Sequence, residues 1–276
     1  PESVSWGLEM AYEDWCISQI AAKAGLDSLA QVYAAKGEYY KRYLDPETKM
    51  MRPIMGDGTF RTPFNPRYSA HMRSDYTEGN AFQWSFFAPH DMDNFIATIG
   101  GKKELETRLD TLFTTSSQVD GEHASGDITG LIGQYAHGNE PSHHVAYLYP
   151  YAGEQWKTAE KVRYIQDEFY TDQPEGIIGN EDCGQMSAWH VMSALGFYQV
   201  NPSNGVFVFG SPLFGKASVR LKGGKTFDVV AQNNSKDNIY IQSVTLNGQP
   251  YDKSYILYDD IMKGGNLTFV MGNTPN

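Results

Sequence analysis

A mainly α-helical chain that ends in a β region is the fold class the sequence predicts. Three observations lead there. Up to about residue 200 the apolar residues recur at helical spacing, after Asn204 they alternate over short runs, and long polar loops join the helical stretches. Such loops suit an α/α toroid, whose inner helices present loop residues to a pocket at one end.

The helical stretches come in order. Leu8, Tyr12, Trp15 and Gln19 to Ala22 mark the first, followed by Leu29 to Tyr43, Asn80 to Phe87, Met92 to Ile99, Lys102 to Phe113, His143 to Tyr149, Trp156 to Phe169 and Met186 to Leu195. The strands are Val206 to Phe209, Ala217 to Leu221, Thr226 to Ala231, Tyr240 to Leu246, Lys253 to Leu257 and Asn266 to Met271. Lys222-Gly223-Gly224 and Asn247-Gly248 are turn signals between them. The expected organisation is a helical domain over 1–203 and a small antiparallel β domain over 204–276. Met51 to Pro66 is a Pro-rich loop long enough to be functional.

Composition excludes several classes. The 276 residues are 41% hydrophobic and 13% aromatic, enough for a sizeable core and against disorder. A net charge of −11 without clustered Lys or Arg argues against a nucleic-acid partner. No apolar run reaches the ~18 residues of a membrane span, so no membrane partner is expected. Cys16 and Cys183 are too few for a disulfide framework and wrongly spaced for a zinc knuckle. The start, PESVSWGLEMAYEDW, lacks the pattern of a signal peptide and reads as an interior start.

Three polar segments carry the chemistry. In GNEDCGQ (179–185), Asp182 precedes an apolar helical run and Gln185 stands three residues later, the spacing of a capping box. Asp182 is therefore either an N-cap or a carboxylate kept ionised by a helix N-terminus, able to act as a base or metal ligand. Asn180 and Glu181 exceed what a cap needs. HGNEPSHH (137–144) holds three imidazoles, an amide and a carboxylate. Pro141 and the adjacent His143-His144 pair disfavour zinc, whereas oxygen donors from Asn139 and Glu140 suit a hard cation such as calcium. The plain alternative is that Asn139 caps a helix starting near Pro141. In YTEGNAFQWSFFAPHD (76–91), Glu78 precedes an aromatic run. Rings beside a carboxyl desolvate it and raise its pKa, fitting a general acid, although a surface Glu before a core helix is the commoner case.

Together with VSWGLEMAYEDWCISQIA near the start and VFVFGSPLF at the opening of the β region, YTEGNAFQWSFFAPHD, HGNEPSHHVAYLYPYAG and GNEDCGQMSAWHVMSALGFYQVNP resemble glycoside hydrolase family 92, the calcium-dependent exo-acting α-mannosidases. The resemblance is collinear and covers nearly the whole chain. It implies an (α/α)6-type barrel, here partial, that pairs with an N-terminal β-sandwich not contained in this sequence. It implies hydrolysis of terminal α-mannosides in glycans with inversion, by an acid and a base about 6.5–9.5 Å apart. By motif match Glu78 is the acid and Asp182 the base, with Asn180 beside it. Many members carry aspartate at the position of Asn180, so Asp182 is expected to act alone.

The resemblance further implies Ca²⁺ on mannose hydroxyls, held first by Asn139 and Glu140 and more weakly by Gln134 and Glu181. His137, His143, Trp84 and Gln185 are the expected sugar-contacting residues. Bacterial members are exported, to the periplasm or cell surface, which sets the expected location. Two rivals remain. One is a calcium-dependent glycan-binding module, and the other is an α/α-barrel hydrolase of the glucoamylase or trehalase kind acting on glucosides.

Overall fold

A computed structural model describes residues 1–276. The chain divides into two compact units, Pro1–Ser142 and His143–Asn276. The first consists of helices, turns and long connections. The second contains three helices followed by two sheets, with a short helix before the last strand.

In the first unit α1 (Ser3–Lys23) buries Val4, Leu8, Ala11, Ser18 and Ala21 along one face, at the three- and four-residue steps of a helix. It ends in a Schellman motif: Leu26 N–H bonds to Ala21 C=O at 2.9 Å and Gly25 N–H to Ala22 C=O at 3.1 Å, with Gly25 at φ 72°. That stop folds α2 (Asp27–Gly37) back onto α1, and a 3₁₀ turn, Glu38–Arg42, continues it. Residues 43–80 carry almost no regular structure but are pinned. The Arg52 guanidinium binds Asp45 at 2.8 Å and the Arg61 carbonyl at 2.7 Å, and lies over the rings of Phe60 and Phe64. Then come α3 (Ala81–Trp84), α4 (Met92–Ile99) and α5 (Lys102–Thr114). A two-residue hairpin joins β1 (Leu131–Ile132) to β2 (Tyr135–Ala136).

The helix expected over Asn80 to Phe87 is a single turn. The Ser85 hydroxyl donates back to Ala81 C=O at 2.5 Å at its end, and Phe82, Trp84 and Phe86 are buried by tertiary packing rather than by helix length. His143 to Tyr149 likewise resolves into a 3₁₀ turn, Val145–Tyr147, followed by α6 (Tyr149–Ala152), where Pro150 lies in the first turn and so lacks no needed donor.

In the second unit α7 (Gln155–Phe169) and α8 (Gln185–Leu195) precede β3 (Phe197–Gln199), so strands begin before residue 204. β3, β4 (Val206–Phe209) and β9 (Tyr255–Leu257) form one antiparallel sheet in the order β3-β4-β9. The larger sheet runs β5-β6-β10-β7-β8, from β5 (Lys216–Arg220), β6 (Thr226–Gln232), β7 (Tyr240–Leu246), β8 (Gln249–Pro250) and β10 (Gly265–Gly272). A short α9 (Tyr258–Lys263), unmarked in the sequence pattern, leads into β10.

The expectation of a purely antiparallel β region is corrected here: β10 pairs parallel with β6, with Leu267 opposite Val229 and Phe269 opposite Ala231. Alternation of buried and open residues is the same in either direction of pairing, so the sequence could not distinguish them. Both sheets share a core that includes Phe197, Phe209, Phe227, Val229, Ile256, Leu267 and Phe269. Phe269 is 0% exposed and meets Phe209 edge-on at 5.1 Å. Replacing Phe269 by Ala is expected to lower stability by about 3–5 kcal/mol in urea denaturation. A loss below about 1 kcal/mol would show that this core does not hold the sheets together.

Candidate active site

In the first unit the segment around Glu78 is fixed residue by residue. Ser3 Oγ donates to Asp75 Oδ1 at 2.9 Å, Tyr76 OH to Met51 C=O at 2.6 Å, and Thr77 N–H to Ser5 Oγ at 2.8 Å. Trp84 Nε1 donates to Thr77 C=O at 2.9 Å, and Asn139 Nδ2 to Glu78 C=O at 3.0 Å. Next along, Asn80 caps α3: its Oδ1 accepts from Phe82 N–H at 3.0 Å, while Gln83 Oε1 accepts from Asn80 N–H at 2.7 Å, a complete capping box. Between these anchors Glu78 is half-buried and adopts φ 47°. Left-handed backbone is uncommon for a residue with a Cβ and persists where its surroundings over-determine it, a condition met most often at functional sites.

Gln134 joins this segment to the rest of the unit. Its Oε1 accepts from Asn80 Nδ2 at 2.9 Å, and its Nε2 donates to Ser116 C=O at 2.7 Å and Gln118 C=O at 2.9 Å. Its own carbonyl accepts from Gln83 Nε2 at 2.8 Å. Gln134, expected as one of the weaker metal ligands, is 0% exposed, and its amide is engaged at both ends in holding the α3 cap. Trp84, expected as a sugar-contacting residue, is 3% exposed and supports the Glu78 segment through its indole N–H on Thr77 C=O.

HGNEPSHH divides between the units after Ser142. Gly138 is needed for close approach, since a Cβ there would overlap the Thr129 hydroxyl. His137 is fully buried, its Nδ1 2.9 Å from Tyr135 OH. The Asn139 amide is buried and aimed by its bond to Glu78, so its Oδ1 direction is set, and Glu140 beside it is exposed in a 3₁₀ turn, Glu140–Ser142. Oxygen donors of this kind fit a hard cation that retains much of its water. Nowhere do three or more His, Cys, Asp or Glu side chains converge in a way that would hold a metal.

In the second unit His143 is 2% exposed, and its Nδ1 accepts from Gln185 Nε2 at 3.1 Å. An accepting Nδ1 puts the proton of the neutral ring on Nε2. Gln185 Nε2 also lies 3.0 Å from Tyr198 OH, and Trp189 Nε1 donates to His143 C=O at 3.0 Å. Tyr198 and Trp189 were not singled out from the sequence. Tyr198 lies on β3, in a strand too short for its pattern to register, and Trp189 read only as an apolar helix residue.

The capping box expected between Asp182 and Gln185 is absent. Gly184, not Asp182, is the N-cap of α8, and Gln185 turns to His143. The N–H of Ser187, third residue of α8, is taken by Glu181 Oε1 at 3.1 Å, and Ser187 Oγ donates to Glu181 Oε2 at 3.0 Å. Glu181, expected as one of the weaker calcium ligands, caps the helix start. Asp182, Cys183 and Gly184 follow with φ of 51°, 57° and 97°, three left-handed residues in succession. Asp182 is half-buried, and Asn180 is exposed beside it.

Replacing Gln134 by Leu keeps the volume but strips Asn80 and two carbonyls of their partners. Each buried polar group left unpaired costs about 1–3 kcal/mol. The variant is expected to lose stability and to speed amide exchange at Phe82 and Gln83. Unchanged exchange there would sink the assignment of Gln134 as the anchor of this segment.

A family model described as the glycosyl hydrolase family 92 catalytic domain matches residues 1–273. Among solved structures, a family 92 α-mannosidase from Bacteroides thetaiotaomicron in complex with mannoimidazole is 42% identical, with a TM-score of 0.94 over 100% of this chain and 37% of that one. A family 92 inverting mannosidase from the same species is 35% identical, with a TM-score of 0.87 over 100% of this chain and 38% of that one. A protein from Arthroderma benhamiae named an uncharacterized secreted glycosidase is 27% identical over 98% of this chain and 36% of its own length. The chain thus spans little more than a third of these relatives.

Proposed function

Because the chain belongs to glycosyl hydrolase family 92, we propose that it hydrolyses terminal non-reducing α-mannosides with inversion, with Glu78 as general acid and Asp182 as general base. The observation that carries this reading is that both motif carboxylates sit at left-handed backbone, φ 47° and φ 51°, each within a hydrogen-bonded frame. Mannosidase relatives at 35–42% identity, one named as inverting, support the substrate and stereochemistry. The proposed architecture around these residues is part of an (α/α)6 barrel. Export is part of the same reading, supported by the Arthroderma relative named as secreted.

In this mechanism Glu78 gives its proton to the glycosidic oxygen as the C1–O bond breaks. A water attacks C1 from the opposite face while Asp182 removes its proton, so the released sugar is the β anomer. Asn180 orients that water through its amide but cannot take its proton. His143, with Nδ1 fixed by Gln185, is the proposed sugar-contacting imidazole of this segment.

Glu78→Gln is expected to lower kcat by roughly 10²–10⁴-fold on glycan substrates, yet to spare dinitrophenyl α-mannoside, whose leaving group needs no proton. Asp182→Asn is expected to fail on both, with azide restoring turnover as the β-mannosyl azide. NMR of the first-formed sugar tests inversion, and an α product would sink it. Glycan binding without any turnover would favour a binding module.

Calcium belongs to the proposal through Asn139 and Glu140, whose oxygens would hold it in the first unit. When bound, the cation supplies positive charge to sugar hydroxyls. Calorimetric titration with Ca²⁺ alone is expected to give a binding isotherm that Asn139→Ala and Glu140→Ala each weaken, and EDTA is expected to lower mannoside turnover. An isotherm unchanged by both substitutions removes these ligands.

A further inference from the structure

We infer that Glu181 is a positioning residue that sets the Asp182 carboxylate by capping α8 in its place. The inference rests on the proposed role of Asp182 as base. An α-helix begins with unpaired N–H groups, and a Ser, Thr, Asp or Asn at the N-cap ordinarily takes one of them. In α8 the N-cap is Gly184, which has no side chain to do so. Asp182 has the sequence spacing for that duty, and had it performed it, its carboxylate would be bound to the backbone of its own helix.

Glu181 reaches over the turn instead. One carboxylate oxygen accepts from Ser187 N–H at 3.1 Å and the other from Ser187 Oγ at 3.0 Å. Two backbone bonds close the same loop: Gly184 N–H to Glu181 C=O at 3.2 Å and Met186 N–H to Glu181 C=O at 3.3 Å. Glu181 thus grips the helix start through both its side chain and its carbonyl. Of the five residues enclosed, the first three, Asp182, Cys183 and Gly184, are left-handed. Left-handed backbone at Asp182 and Cys183 is unfavourable by itself, so the closure at Glu181 and Ser187 is what holds Asp182 in place. The negative charge at the helix N-terminus adds to that hold.

The test separates geometry from charge. Glutamine is nearly isosteric, and its Oε1 can accept from Ser187 N–H while its Nε2 donates to Ser187 Oγ, so Glu181→Gln is expected to stay within a few-fold of the native kcat. Glu181→Ala is expected to lose on the order of 10²-fold in kcat with KM little changed, the loss typical of a misplaced catalytic group. Ser187→Ala should lower kcat less, and adding it to Glu181→Ala should cost nothing further. Amide exchange provides a readout independent of activity: Ser187 N–H should lose protection in Glu181→Ala and keep it in Glu181→Gln.

A Gln variant as impaired as the Ala variant would overturn the inference, because a carboxylate charge rather than a grip would then be needed. So would a Ser187 amide deprotected in Glu181→Ala with kcat unchanged, while Asp182→Asn is inactive. Should Asp182→Asn retain full turnover, the reading of Asp182 as base fails and this inference falls with it. If Glu181→Ala does not fold, the Gln variant alone decides.

Discussion

Left-handed backbone at a residue with a side chain is sustained only by neighbours that leave it no alternative, and the two candidate carboxylates of this chain both depend on that condition. Glu78 and Asp182 lie at φ 47° and 51°. Relaxed to ordinary helical or extended backbone, each would swing its carboxyl group away from where the loop now directs it. The hydrogen bonds around them are thus part of the site, although few of the residues that make them would touch a substrate. Trp84 and Gln134 are examples, both buried, the one bonded to Thr77 C=O and the other to the Asn80 side chain.

The two loops are held by different chemistry. Around Glu78 much of the frame consists of neutral amides: Asn80, Gln83, Gln134 and Asn139 each donate to or accept from a specific partner. An amide offers a donor and an acceptor from one rigid plane, so a few of them can satisfy a buried loop without introducing charge that would need its own partner. Around Asp182 the frame is a carboxylate, Glu181, facing a helix start. That loop is more exposed, and a charge there remains partly solvated while the helix N-terminus favours it.

Legibility in the sequence followed the kind of constraint. Where apolar residues recur regularly in the sequence, the reading was close: Met92–Ile99, Val206–Phe209 and Tyr240–Leu246 have the observed limits, and Asn247-Gly248 forms the turn its residues suggest, with φ of 52° and 78°. That Glu78 and Asp182 lie in loops was also legible, because glycine and polar residues there interrupt periodicity. What sequence spacing could not show was which of several competent side chains makes a bond. Asp182 and Gln185 fit a capping box by spacing, yet three left-handed residues place Gly184 at the cap and send Gln185 to His143. The parallel pairing of β6 with β10 was hidden for a related reason, since period-two alternation specifies a face and not a partner.

The substitution of one cap for another changes how GNEDCGQ is to be understood. Read as a linear motif, it holds two acidic residues of similar chemistry, and either could cap, bind a metal or act on a water. In the folded chain the left-handed turn divides them. Glu181, before the turn, has the reach to bind the third residue of α8 with both oxygens, whereas Asp182, inside it, would have to give up that turn to do the same. A longer side chain at 181 and a shorter one at 182 are what the geometry requires, because one must span the loop and the other must be carried by it. The cap and the catalytic candidate are adjacent in sequence because a single tight turn needs both.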